Sequence, residues 1–213
     1  MKKVLACVLM LMCLSACQKK SMRVAILDSG ISNVDGNIVS GHNYIEGNDD
    51  TTDDRGHGSM LAEIILSYAP DCTLIPLKVS CADPKVTDLV VSAVQDCIDV
   101  YDADLICMAF SIPESEELYE VIQRADRKGI IMISASGNIG DSKGILYPAG
   151  YQEVISVGAL DGQGNPASYS MIQGVDVFED GTWKQAQGTS VACARVTGMF
   201  AQGKWQSRHD VQQ

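Results

Sequence analysis

Short apolar runs alternate with segments of helical spacing along most of this chain, and that alternation restricts the fold more than any other feature. Arg23–Leu27, Thr73–Val79, Leu105–Phe110, Ile130–Ala135 and Val154–Ala159 are largely apolar stretches of strand length. Strands buried on both faces look like this. Between them, Ser59–Tyr68, Asp88–Val100 and Glu116–Lys128 carry apolar residues at helical spacing, and Gly129 closes the last. Strands alternating with helices predict an α/β fold, a mostly parallel sheet covered by helices on both faces. The 213 residues suffice for one such domain, and no repeat, low-complexity tract or linker divides them. In parallel sheets ligands bind beyond the C-terminal strand ends. Asp28 and the turn Ser136-Gly137-Asn138 fall at such ends.

The first residues read differently. Lys2 and Lys3 precede an apolar run, Val4–Leu14, which ends in Leu14-Ser15-Ala16-Cys17. A charged start, a short apolar core and small residues at the cleavage site make an export signal. The Leu-Ser-Ala-Cys end resembles a bacterial lipobox, in which Cys17 is lipidated and becomes the mature N-terminus. The expected division is a signal peptide over 1–16, a lipidated tether over 17–22 and a folded domain over 23–213. The expected location is the outer face of the bacterial cytoplasmic membrane. Losing residues 1–16 removes two lysines and no acid, so the net charge moves from −11 to −13. Such a surface repels anionic membranes, which gives a lipid anchor its purpose. With no basic patch, nucleic acid is not an expected partner.

Five cysteines remain beyond the anchor: Cys72, Cys81, Cys97, Cys107 and Cys193. No CxxC spacing occurs, so no zinc site is expected. Small buried thiols are the ordinary reading, with Cys72–Cys81 the candidate for one bridge.

Near the C-terminus, Gly188-Thr189-Ser190 leads into a helical stretch, Val191–Phe200. A Ser at a helix N-terminus is either a cap or a nucleophile beside free N–H groups. A nucleophile needs a base and a group that orients the base. Of the three histidines, His42 in a polar loop and His209 in a charged tail read as solvated. His57 lies between two glycines at a helix start, where its ring can face a cleft. Asp28 is a fitting orienter, and Asn138 a fitting side-chain donor. The acidic loop Asp49, Asp50, Asp53, Asp54 reads as solvated, with its charge raising the pKa of His57.

Four stretches now carry a resemblance. Val24-Ala-Ile-Leu-Asp28-Ser-Gly30, Gly56-His57-Gly58-Ser59, Ser134-Ala-Ser-Gly-Asn138 and Gly188-Thr-Ser190-Val-Ala-Cys193 are similar to the Asp, His, Asn and Ser motifs of the subtilisin-like serine proteases, the subtilases. They occur in that family's order, over about residues 23–203. The resemblance implies a three-layer α/β fold and a serine endopeptidase working through an acyl-enzyme. It assigns Ser190 as nucleophile, His57 as base and Asp28 as its orienter, with Asn138 and the Ser190 N–H as oxyanion donors. It assigns substrate binding to Ala109, Phe110, Ser111, Ser134, Ala135, Ser136, Gly137 and Leu146; no cofactor is expected, and no metal, because the calcium loop of the family is missing here.

The chain departs from the family at several points. Val191 replaces a common Met, and Ala194-Arg195 replaces Pro-His. Ser111 stands where Gly usually lets a substrate backbone approach, and Leu146 where a small residue floors the first specificity pocket. A shallow pocket for small or medium apolar P1 side chains follows. The loop that often binds calcium after the catalytic His is missing. About half a dozen residues separate Cys17 from the first strand, a reach of roughly 20 Å. Secreted subtilases usually carry a pro-domain at this point, so two expectations stand: the domain folds unaided, or a partner protein supplies what is missing. The expected function is a membrane-tethered endopeptidase that processes exported peptides. The alternative is a degenerate subtilase that binds peptides without cutting.

Overall fold

A computed structural model describes residues 21–140 and 144–211. The expected signal peptide and Cys17 lie outside them.

The five apolar runs are strands. They are β1 (Arg23–Asp28), β4 (Thr73–Lys78), β5 (Leu105–Met108), β6 (Ile131–Ala135) and β7 (Val154–Leu160). Two short strands, β2 (Asn37–Ile38) and β3 (His42–Asn43), precede β4, and β8 (Val177–Asp180) follows β7. The sheet has eight strands in the order β2-β4-β1-β5-β6-β7-β8, with β3 also on β4. Its pairings are all parallel. The hairpin β9 (Thr182–Trp183) and β10 (Ala186–Gln187) stands apart from it.

Helices cover both faces. Val24 and Ile26 of β1 join one core with Leu61, Ile64 and Ile65 of α1 (His57–Tyr68) and Val196 and Phe200 of α4 (Thr189–Gln202). Ala25 and Leu27 join the other with Val90 and Val94 of α2 (Val86–Asp99) and Leu118 and Ile122 of α3 (Glu116–Arg127). The period-2 alternation of a strand thus feeds two cores at once, and three layers result. Ser115 caps α3, its hydroxyl accepting the Leu118 N–H at 3.0 Å, as Ser does at an N-cap. A short α5 (Arg208–Val211) follows α4.

Three expectations need correction. Cys72 and Cys81 are both free thiols, Cys72 buried and Cys81 exposed, so the candidate bridge is not made. His42 is not a solvated loop residue. It sits in β3, half-buried, with Nδ1 2.9 Å from Asp49 Oδ1 and its ring edge-on to Tyr44. The acidic loop is only partly solvated, because Asp53 is built into the structure described next.

Candidate active site

The C-terminal end of β1 delivers Asp28, and the N-terminus of α1 delivers His57. Their approach depends on glycine. A Cβ on Gly58 would lie 2.1 Å from the Gly30 carbonyl oxygen and 3.3 Å from the Asp28 Cβ. Only a residue without a side chain lets the first turn of α1 sit so close to the β1 exit. His57 Nδ1 lies 2.8 Å from Asp28 Oδ1 and 2.9 Å from Oδ2. The carboxylate side chain is 8% exposed and the imidazole 38%, so the pair is dry on one side and open on the other. Ser29 donates its N–H to Asp28 Oδ1 at 2.8 Å, and its single hydroxyl proton is shared between Asp28 Oδ1 at 3.1 Å and Asp53 Oδ1 at 2.8 Å. The hydrogen bond to Asp28 raises the pKa of His57; burial works against it, and the charges of Asp28 and Asp53 add to the rise.

Asp53 holds this corner together. It accepts the Ser59 N–H at 2.9 Å and hydroxyl at 2.6 Å, and the Ser29 hydroxyl at 2.8 Å. It also accepts the N–H groups of Arg55 and Gly56 at 2.9 and 2.8 Å. Burial disfavours its charge, but hydrogen bonds from Ser59, Arg55 and Ser29 outweigh that and hold its pKa at about 2. Its carboxylate also faces the N-terminal turn of α1, where negative charge is favoured.

Ser190 is the second residue of α4. The turn before it needs Gly188, whose φ of 151° and ψ of 167° lie in a region left almost entirely to glycine. Asn138 comes from the loop after β6 and caps α4 from outside. Its Oδ1 accepts the Thr189 N–H at 2.9 Å and the Thr189 hydroxyl at 3.0 Å. That fixes the carboxamide, so its NH₂ is the end turned away from Thr189. Val191 gives its N–H to the Gly188 carbonyl at 3.1 Å, whereas the Ser190 N–H has no partner among the described residues. The Ser190 hydroxyl donates to the Ala109 carbonyl at 3.1 Å.

The residues expected to meet substrate divide into three groups. Ser134, Ala135 and Ser136 are buried. The Ser134 hydroxyl donates to the Met108 carbonyl at 2.9 Å, tying β6 to β5, and the Ser136 hydroxyl has no partner among the described residues. Their side chains belong to the core, so only their backbone is available to a ligand. Ser111, Gly137 and Leu146 form one wall: a Cβ on Gly137 would meet Leu146 Cδ1 at 3.0 Å and Ser111 Oγ at 3.8 Å. Ala109 and Phe110 line a separate cavity of about 310 Å³ with Asp28 and His57.

The sequence did not disclose the hydrogen-bonding roles of Thr189, Ser29 and Arg195; of Asp53 it disclosed only the charge that raises the His57 pKa. Arg195 reaches from α4 to the Tyr68 hydroxyl at 2.7 Å, Asp180 Oδ2 at 3.1 Å and the Thr182 carbonyl at 2.7 Å. It pins the β8–β9 corner to both helices of that face. The only signal for it was a long cation in an otherwise small and apolar helix.

An Asp-held imidazole at a strand end, a serine at a helix N-terminus and free N–H donors beside it define a serine hydrolase on an α/β scaffold. The chain belongs to the subtilase family, whose model matches residues 19–212. Subtilisin DY of Bacillus licheniformis is 31% identical over 207 residues, covering 85% of this chain and 76% of that protein. Subtilisin BL of Lederbergia lenta is 31% identical over 202 residues, covering 84% and 75%. In structure, a cold-adapted subtilisin-like serine proteinase superposes with a TM-score of 0.78 at 23% identity, over 90% of this chain and 79% of that one. The chain is thus a serine-type endopeptidase of the subtilase family, acting on peptide or protein substrates.

Proposed function

We propose that Ser190, His57 and Asp28 form the working triad. His57 Nε2 takes the Ser190 Oγ proton as Oγ attacks the scissile carbonyl. Asp28 accepts the Nδ1–H and favours the imidazolium that forms. The Asn138 NH₂ and the unpaired Ser190 N–H donate to the oxyanion. His57 then gives its proton to the leaving amine, and a water repeats the sequence on the acyl-enzyme. The observation that carries this reading is the bond of His57 Nδ1 to both Asp28 oxygens, at 2.8 and 2.9 Å. It fixes Nδ1 as donor and leaves Nε2 to act as base.

Ser111 and Leu146 against Gly137 support a shallow first pocket that takes small or medium apolar P1 residues. The signal-like segment before Cys17 supports export, lipid tethering at the membrane and work on exported peptides. Among the described residues no helix is long and apolar enough to cross a membrane. One observation favours the second reading, a peptide-binding subtilase without activity: the Ser190 hydroxyl is bonded to Ala109 rather than to His57. Turnover requires it to rotate toward Nε2.

Hydrolysis of a peptide library by the purified protein tests the two readings. Cleavage after Ala or Val that Ser190→Ala lowers about 10⁴- to 10⁶-fold supports the enzyme. Saturable binding without cleavage supports the alternative. Membrane fractionation of wild type and Cys17→Ala tests the tether, which the variant should lose.

A further inference from the structure

The cavity of about 310 Å³ beside the triad is walled by Asp28, Arg55, His57, Ser80, Cys81 and Phe110, among others. Phe110 turns to this cavity, whereas its neighbour Ser111 turns to Gly137 and Leu146. A peptide extended along Ala109–Ser111 alternates its side chains in the same way. With P1 against Leu146, the next residue on the acyl side, P2, points into the cavity.

Arg55 supplies the cationic side chain of that lining. It is exposed, and its guanidinium makes no ion pair among the described residues. The carboxylates around it are engaged elsewhere. Asp28 holds His57. Asp53 is saturated by Ser29, Ser59 and the N–H groups of Arg55 and Gly56. Asp54 lies 3.6 Å from Lys78 Nζ, and Asp83, in the adjoining hollow, accepts the Lys85 N–H at 2.7 Å.

We propose that Arg55 makes this cavity a subsite for an acidic side chain, so that the enzyme prefers Glu or Asp at P2. The proposal rests on the endopeptidase reading and deepens it. It also runs against the long-range field. A chain of net charge −11 repels acidic peptides as a whole. Without a local cation at the subsite, Lys at P2 would be favoured over Glu. The order of the two substrates therefore separates a local effect of Arg55 from the general field.

The test uses quenched fluorescent peptides identical except for Glu, Gln or Lys at P2, with Ala at P1. For wild type, kcat/KM for Glu should exceed that for Lys by about tenfold, with Gln between, as an exposed cation that attracts Glu and repels Lys allows. The ratio should shrink at about 1 M salt, where the Debye length is ~3 Å. Arg55→Gln should flatten the series and Arg55→Glu should reverse it. Each ratio is taken within one variant, so a general loss of activity cancels. Equal rates or a Lys preference in wild type, or a Glu preference kept in Arg55→Glu, overturns the proposal and leaves the endopeptidase reading standing. No cleavage of any peptide by wild type overturns both.

Discussion

Asn138 Oδ1 accepts both the backbone N–H and the hydroxyl of Thr189, at 2.9 and 3.0 Å. One carboxamide therefore caps α4 with its oxygen and leaves its NH₂ for the proposed oxyanion contact. The two roles separate by substitution. Asn138→Asp keeps the acceptor and loses the donor, whereas Asn138→Ala loses both. Both should lower kcat at least about 10²- to 10³-fold, the scale known for a subtilisin that loses an oxyanion donor. Only Asn138→Ala should also lose about 1 kcal/mol of stability, measured by urea unfolding, because Thr189 then lacks its cap.

The acidic limb of the pH profile should lie above pH 6.5. His57 must be neutral at Nε2 to act as base, and its hydrogen bond to Asp28 raises its pKa from the ordinary 6.5. The charge of Asp53 contributes, so Asp53→Asn should move the limb of kcat/KM to lower pH.

Stability should respond to the same two groups with opposite signs. The raised pKa of His57 gives stability that is full below the unfolded value and lost as pH rises through the folded one. Asp53, held at about 2, gives stability present above about 3.9 and lost as pH falls toward 2. Thermal unfolding of wild type should therefore show a loss between about pH 4 and 2 that Asp53→Asn lacks.

The fold was legible in the sequence because strands buried on both faces cannot hide their apolar runs; β1, β4, β5, β6 and β7 appeared within a residue or two of their bounds. β8 and the β9–β10 hairpin were not, since Val177–Asp180 is half-buried and mixes apolar with acidic residues. The motif residues Asp28, His57 and Ser190 could be found because each sits at a local signal, a strand end, a glycine pair or a helix start. Asp53 could not. Its role comes from five donors on Ser29, Arg55, Gly56 and Ser59, and nothing in its own neighbourhood distinguishes it from Asp54, which is exposed. Ser134, Ala135 and Ser136 carried a family motif, but motif membership does not tell a backbone contact from a side-chain one.

Opening the first pocket should broaden specificity. Leu146→Ala removes the side chain whose Cδ1 lies 3.0 Å from the Cβ position of Gly137. Cleavage after Phe relative to Ala, read as a ratio of kcat/KM, should rise about tenfold or more. An unchanged ratio would place the pocket elsewhere.

Gly58→Ala should damage both stability and catalysis. The new methyl would lie 2.1 Å from the Gly30 carbonyl oxygen, so α1 must move, and His57 with it. A loss of about 1–3 kcal/mol in urea unfolding is expected, with a larger proportional loss in kcat than in substrate affinity.

The central claim is that Ser190 is a nucleophile activated by the His57–Asp28 pair. A fluorophosphonate probe followed by mass mapping of the modified peptide tests it directly. A single adduct on Ser190 is expected, absent in Ser190→Ala and slowed by orders of magnitude in His57→Ala. Folded wild-type protein that takes no label, or a label on Ser190 whose rate is unchanged in His57→Ala, would contradict it.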